Sequence, residues 1–193
     1  MDNLARKHDY LYTYSDYITW EDELKVELID GIVYDMAAPS IEHQALSMEL
    51  SILFGTYLKG KSCSVFAAPT DVRLNHDKED NTVVKPDLFV ICDKSKLDKR
   101  SYNGVPELII EILSPSNSGT DTITKLNKYL NAGVKEYWVI DPQDKVIVVH
   151  LLSGENYLTK IHEKGEIHVN TFENFVINID ELFAVIPTET DAV

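Results

Sequence analysis

The chain has 193 residues, 44% of them hydrophobic and 9% aromatic. This composition builds a sizeable core in one domain and excludes a disordered chain. Eighteen Lys and Arg against 32 Asp and Glu leave a net charge of -14. That balance argues against a constitutive nucleic-acid binder, which needs a basic footprint, but not against a nuclease whose metal ion and local basic patch offset the acidic remainder. No apolar run approaches a membrane span, and the basic residues near the start have no apolar stretch behind them as a secretory signal would. The expectation is a cytoplasmic protein with no membrane partner. Cys63 and Cys92 lie inside apolar runs and read as buried thiols of a reducing compartment, with a disulfide between them left open.

Residues 1–12 show no clear period and read as a loosely held arm. Residues 13–23 read as a short helix that Thr13 or Ser15 caps, with an acid three residues after Thr13. Residues 25–37 read as a hairpin around Asp30-Gly31. Pro39-Ser40 then introduces a long helix over 41–59, with Ile41, Ala45, Met48, Ile52 and Leu53 at helical spacing and Gly60 as its stop. Residues 62–74 read as one strand, or two broken near Pro69, followed by a charged turn over 75–80. The next strand holds Pro86 and is kinked there or begins near it. Residues 93–104 read as loop with a turn of helix. The run over 107–113 is apolar between its acids, as a central strand covered on both faces would be.

After a loop over 114–119, Thr120 or Asp121 caps a helix that ends at Asn131 before Ala132-Gly133. Residues 135–142 read as a strand parallel to 107–113 through a right-handed crossover. Residues 145–152 read as its antiparallel neighbour, 154–161 and 165–169 as outer strands, and 178–184 as a closing helix before a mobile tail. The glycines build no phosphate-binding loop, the ten tyrosines are dispersed, and two cysteines with scattered histidines lack zinc-ligand spacing. The expected architecture is α/β, a central mixed β-sheet flanked by helices, with an N-terminal β-hairpin and additional C-terminal antiparallel strands, in a single domain with its core over about 13–184.

The residues with chemical potential begin at Asp87 and Glu111. Each stands at the edge of an apolar run. Glu111 is the more telling, because a buried unpaired charge is expensive and calls for a metal or a lysine. Two carboxylates at adjacent strand ends with a lysine nearby are the parts of a magnesium-dependent phosphodiester hydrolase. The competing reading makes both acids solvated strand ends and Lys125 a helix surface residue. Asp121 and Lys125 are four apart on one helix face, which Tyr129 continues. The competing reading of that pair is an exposed ion pair worth a few tenths of a kcal/mol. The basic run over 94–100 is a candidate patch or a solvated loop, and Asp71 is a weaker acid that Arg73 would neutralise. Glu42, in the first turn of the long helix, is either a site acid or a residue that favours the helix dipole.

The segments "YDMAAPSIEHQ", "KPDLFVI", "ELIIEILSPS" and "KLNKYLNAGVKEYWVIDP" together resemble the Uma2 family of restriction-endonuclease-like proteins, within the PD-(D/E)XK nuclease superfamily. The resemblance runs from about Thr13 to Ala184. It implies a restriction-endonuclease-like core, with Asp87 and Glu111 as catalytic acids and ligands of Mg2+, for which Mn2+ can substitute. The superfamily places its lysine two residues after the strand acid, where this chain has Leu113. The resemblance puts Lys125 in that role. Glu27 and His43 also match family positions. His43 could ligate a metal, move a proton, contact a phosphate or simply support the site.

The function expected is hydrolysis of DNA by a divalent-metal-dependent endodeoxyribonuclease without an organic cofactor. A homodimer would place one site near each antiparallel strand of the duplex. The alternatives are a catalytically silent nuclease-fold module that binds nucleic acid or protein, and a hydrolase of small phosphodiesters.

Overall fold

A computed structural model describes residues 10–20, 25–75, 80–114 and 119–187, with 119–122 described by backbone alone. Residues 1–9, 21–24, 76–79, 115–118 and 188–193 lie outside the described residues, and with them the end of the helix expected over 13–23. The chain begins with a one-turn helix α1 (Tyr14–Tyr17), started by a capping box in which the Thr13 backbone N–H donates to Asp16 Oδ2 at 2.8 Å. The hairpin follows as β1 (Val26–Ile29) and β2 (Ile32–Asp35). Asp30 and Gly31 both take positive φ, 53° and 76°, the backbone that a two-residue turn matched to strand twist demands.

The central sheet has six strands. It contains β3 (Ser64–Ala67), β5 (Leu88–Ile91), β7 (Leu108–Ile112), β8 (Glu136–Asp141), β9 (Val146–Ser153) and β10 (Asn156–His162), in the order β10-β9-β8-β7-β5-β3. β7 and β8 pair in parallel, and every other neighbouring pair is antiparallel. The parallel pair is joined by α3 (Gly119–Ala132), the crossover that the alternation of apolar run, helix and apolar run implies. All five residues of β7 are buried, because both its edges and both its faces are covered.

The helix α2 (Ile41–Leu58) packs on one face of the sheet and is capped by Ser40, whose Oγ accepts the His43 backbone N–H at 3.2 Å. Its core side is Leu46, Leu50, Phe54 and Leu58. These meet Leu88, Val90, Leu108, Ile110 and Trp138 from the sheet. Ile41, Met48 and Ile52, which also stand at helical spacing, lie on the opposite side and are 72%, 64% and 52% exposed. The helix is apolar on two sides, so its periodicity identifies a helix without identifying the buried face.

The other sheet face carries α3, with Phe89, Ile91, Ile109, Tyr129, Val134 and Tyr137 as its core. The 62–74 segment does split at Pro69, which follows a cis peptide bond, into β3 and β4 (Asp71–Arg73). β4 pairs in parallel with β6 (Ser101–Asn103), a strand inside the segment expected to be loop. Residues 165–169 do not extend the main sheet either. β11 (Glu166–His168) pairs with β12 (Val176–Asn178) in a separate ribbon, and Ile167 and Ile177 face the α2 core together with α4 (Ile179–Ala184).

The reading of Cys63 and Cys92 as buried thiols is corrected. The two form a disulfide, with Cα atoms 4.0 Å apart. The register explains the pairing. β3 and β5 run antiparallel with Ser64 opposite Ile91, so the next residues outward face each other. No helix among the described residues is long and apolar enough to cross a membrane.

Candidate active site

The C-terminal end of β7 and the entry to β5 meet beside each other in the middle of the sheet, and acids stand at both places. Asp87 immediately precedes β5. Its Oδ2 accepts the backbone N–H of Ile112 at 2.8 Å, which fixes it next to Glu111. Its Oδ1 lies 3.0 Å from His43 Nε2, brought by the first turn of α2 from the other side of the sheet. The second ring nitrogen, His43 Nδ1, is buried without a hydrogen-bond partner among the described residues. Burial opposes the imidazolium, but the hydrogen bond and charge of Asp87, with Glu111 behind it, outweigh that cost and raise the His43 pKa.

Glu111 is enclosed from the α3 side. Tyr129 Oη donates to its Oε1 at 2.6 Å, and Lys125 Nζ reaches the same oxygen at 3.3 Å. Lys125 also lies 2.8 Å from Glu27 Oε2. Lys125 and Tyr129 are four apart, so one helix face delivers both groups. Glu27, in β1, arrives from the hairpin, and its Oε1 accepts the Lys85 backbone N–H at 2.6 Å. Five separate elements therefore converge on one point. The structure brings together all five sequence candidates: Asp87, Glu111, Lys125, Glu27 and His43. The side chain of Asp121 lies outside the description. Glu42 is exposed, and the Ser40 hydroxyl with its own backbone N–H holds its carboxyl below the usual range. Its place is the helix end rather than the cleft.

Burial pushes the Glu111 carboxyl up to about 7. Lys125 opposes the rise, the charges of Asp87 and Glu27 reinforce it, and the Tyr129 hydrogen bond opposes it again. The balance says that one ammonium does not neutralise three clustered carboxylates. A carboxyl whose folded pKa lies above its ordinary 4.5 takes up a proton on folding between those values. The contribution of this group to stability is then greatest below about 4.5 and falls as pH rises towards about 7. His43 acts in the same direction, since the stabilisation from its imidazolium is lost as pH rises through its raised pKa. In metal-free protein, Glu111→Gln is expected to remove more than about 1 kcal/mol of that decline. Urea unfolding in EDTA across this range checks it, and parallel curves for the two proteins would refute the assignment.

One sequence expectation is corrected here, and one contributor had gone unnoticed. Asp71 is not neutralised by Arg73. Its Oδ1 lies 3.0 Å from Lys85 Nζ and accepts the Tyr17 hydroxyl at 3.0 Å. Arg73 instead stands in register with Asn103, to which its Nη1 donates at 3.1 Å, and 3.6 Å from Asp80. Lys85 is the residue that sequence reasoning missed. Its buried ammonium contacts Tyr17 Oη, the Val26 carbonyl and Asp71, while its backbone holds Glu27. The available signal was a lysine inside an apolar segment, two residues before Asp87, where an ammonium requires buried acceptors.

A family model described as "Uma2: Putative restriction endonuclease" matches residues 14–180, which include every residue of this cluster. The chain belongs to the Uma2 family. The chain is 30% identical over 128 residues to "Uncharacterized protein slr1290" of Synechocystis sp. (strain ATCC 27184 / PCC 6803 / Kazusa), a match covering 65% of this chain and 66% of that one. It is 30% identical over 136 residues to "Uncharacterized protein sll1609" of the same organism, covering 68% and 75% respectively. The fold is shared with an Anabaena variabilis ATCC 29413 protein described as "a putative nuclease belonging to DUF820", solved by crystallography. Its TM-score is 0.75 at 19% identity, over 91% of this chain and 99% of that one. The Uma2 chain thus has the mixed sheet that its sequence pattern led us to expect and the nuclease-like fold that the resemblance implied.

Proposed function

We propose that this Uma2 chain is a divalent-metal-dependent endodeoxyribonuclease, and that Asp87 and Glu111 hold the ion. The observation that supports this reading most is the enclosure of Glu111: a buried acid beside Asp87, with a lysine and a tyrosine hydroxyl on one oxygen. The donor set fits Mg2+ or Mn2+, since two hard carboxylates lie together with more negative charge than Lys125 balances. Among the described residues no three His, Cys, Asp or Glu side chains converge as a finished ligand set. Two carboxylates suit a cation that keeps much of its water and takes further oxygens from substrate phosphate.

When bound, the ion supplies positive charge that polarises the phosphate and acidifies water. The chain's own groups do the rest. Ile112 N–H and His43 keep Asp87 pointed into the cleft. Tyr129 holds Glu111 through one oxygen. Lys125 offers an ammonium to the charge that accumulates on phosphoryl oxygens as water adds to phosphorus and the P–O bond to the departing strand breaks.

The test is cleavage of supercoiled plasmid and short duplex DNA with Mg2+, Mn2+ or EDTA, alongside Glu111→Ala purified in the same way. The expected result is cleavage by wild type with either metal, none in EDTA and none by the variant. Equal cleavage by variant and wild type would remove Glu111 from the site. Metal binding without cleavage of DNA or RNA would favour a silent nuclease-fold module.

A further inference from the structure

A concavity lies at the β3 edge of the sheet. It is a groove of about 350 Å³ between the β3–β4 turn and the loop over 94–101. Phe66, Pro69 and Leu97 give it an apolar wall, and Lys99 and Arg100 give it charge. The β3–β4 turn is tied to the site directly: the Ala68 backbone N–H donates to the Asp87 carbonyl at 3.2 Å.

The loop is not merely solvated. Its first acid, Asp93, accepts from the Ser95 backbone at 3.1 Å and its hydroxyl at 2.6 Å. Asp98 accepts the backbone N–H groups of Arg100 and Ser101, each at 2.7 Å, the Ser101 hydroxyl at 3.0 Å and Asn103 Nδ2 at 2.8 Å. Burial resists ionisation of Asp98, but these donors outweigh it and hold its carboxyl down at about 2. Its charge is thus engaged within the loop. Across 93–100 the chain carries Lys94, Lys96, Lys99 and Arg100 against Asp93 and Asp98. In a chain of net charge -14, such a cationic, internally braced loop is a local reversal of sign.

We infer that this groove seats one nucleotide of a nucleic-acid strand, its base against Phe66 and Pro69 and its neighbouring phosphates on Lys99 and Arg100. The inference deepens the nuclease reading and rests on it for the identity of the ligand. An aromatic ring beside paired cations is the chemistry that holds an unstacked base and its backbone.

The experiment measures anisotropy of a short fluorescein-labelled oligothymidylate on the full chain in EDTA, where binding is read without cleavage. The double variant Lys99→Glu with Arg100→Glu is expected to lose at least about 10-fold in affinity and to reduce the slope of log affinity against log salt by about 2. Phe66→Ala is expected to lose about 10-fold with the salt slope unchanged. Lys160→Glu with Lys164→Glu makes the same charge change away from the groove, Lys160 lying on β10 at the opposite edge of the sheet, and should bind like wild type. Circular dichroism confirms that each variant is folded. Wild-type affinity in the groove double variant, or an equal loss in the distant one, would overturn the inference. So would thymidine 5′-monophosphate binding as tightly as the oligonucleotide, because the strand would then contribute nothing. Metal-dependent cleavage with groove-independent binding would leave the hydrolase standing without this groove. Groove-dependent binding with no cleavage under any metal would do the reverse.

Discussion

Replacing Lys125 with alanine is expected to lower the single-turnover rate of DNA cleavage by about 10²-fold or more at saturating metal. The ammonium sits 2.8 Å from Glu27 and 3.3 Å from Glu111, at 12% side-chain exposure. It is therefore shielded enough from solvent for its charge to act on a neighbour and near enough to the acids to meet a phosphate held by them. Its loss also removes the group that opposes the upward shift of the Glu111 carboxyl, so the variant should need a higher pH to ionise that acid. Metal titration of the variant separates the two effects: a defect that saturating metal repairs is one of ionisation, and one that persists is a loss of transition-state charge. Leu113→Lys combined with Lys125→Ala returns the cation to the strand. Partial recovery there would show that the requirement is for charge at a point. A rate for Lys125→Ala equal to wild type would leave the lysine as a structural partner of two glutamates.

Glu136→Ala is expected to destabilise the fold by about 3 kcal/mol or more. Glu136 is fully buried in β8 and accepts five hydrogen bonds. They come from Trp138 Nε1 at 2.9 Å, from Asn170 N and Nδ2 at 3.1 and 3.3 Å, and from Thr171 N and Oγ1, both at 2.7 Å. Truncation strands the buried Trp138 Nε1 donor, which keeps its desolvation cost, removes four bonds that hold the Asn170–Thr171 turn, and opens a void. Glu136→Gln should also destabilise, because the amide nitrogen cannot accept the bonds that one carboxylate oxygen now receives. Urea unfolding checks both, and a change below about 1 kcal/mol in the alanine variant would show that water replaces the carboxylate. In register Glu136 stands opposite Leu108, three residues before Glu111 along β7. The two acids occupy the same strand pair, and donors hold Glu136 through both oxygens but Glu111 through one. What differs is the company: donors from a turn in one case, and an ammonium with a neighbouring carboxylate in the other.

That comparison marks how far the sequence could be read. β7 was legible because an unbroken apolar run of strand length is what a doubly covered strand requires. Glu111 stood out as a charge within it. The order of run, helix and run located the parallel pair β7 and β8, while Lys125 was singled out by the resemblance to Uma2, the four-residue step showing only that Tyr129 shares its face. The buried face of α2 was not legible, because Ile41, Met48 and Ile52 compete with Leu46, Leu50 and Phe54 on equal terms. β6 was not legible either. Ser101-Tyr102-Asn103 carries little strand propensity and becomes a strand through its pairing with β4 and the bonds to Asp98. The disulfide depends on a register that only the paired strands define. Lys85 and its acceptors Tyr17, Val26 and Asp71 come from separate segments, so nothing local in the chain announces their meeting.

Leu113 continues the β7 ladder, donating its backbone N–H to the Ile140 carbonyl at 2.8 Å, while the ammonium beside Glu111 comes from Lys125 on α3, fourteen residues further along. The nuclease signature is usually searched as a string, with an acid and a lysine at fixed spacing along one strand. A template of that kind passes over this chain, although three-dimensional matching of carboxylate and ammonium positions would find it. Once a second element overhangs the strand end, selection can move a charge between addresses in the gene while keeping its place in space. On the role proposed for Lys125, searches built on linear spacing would pass over chains arranged in this way.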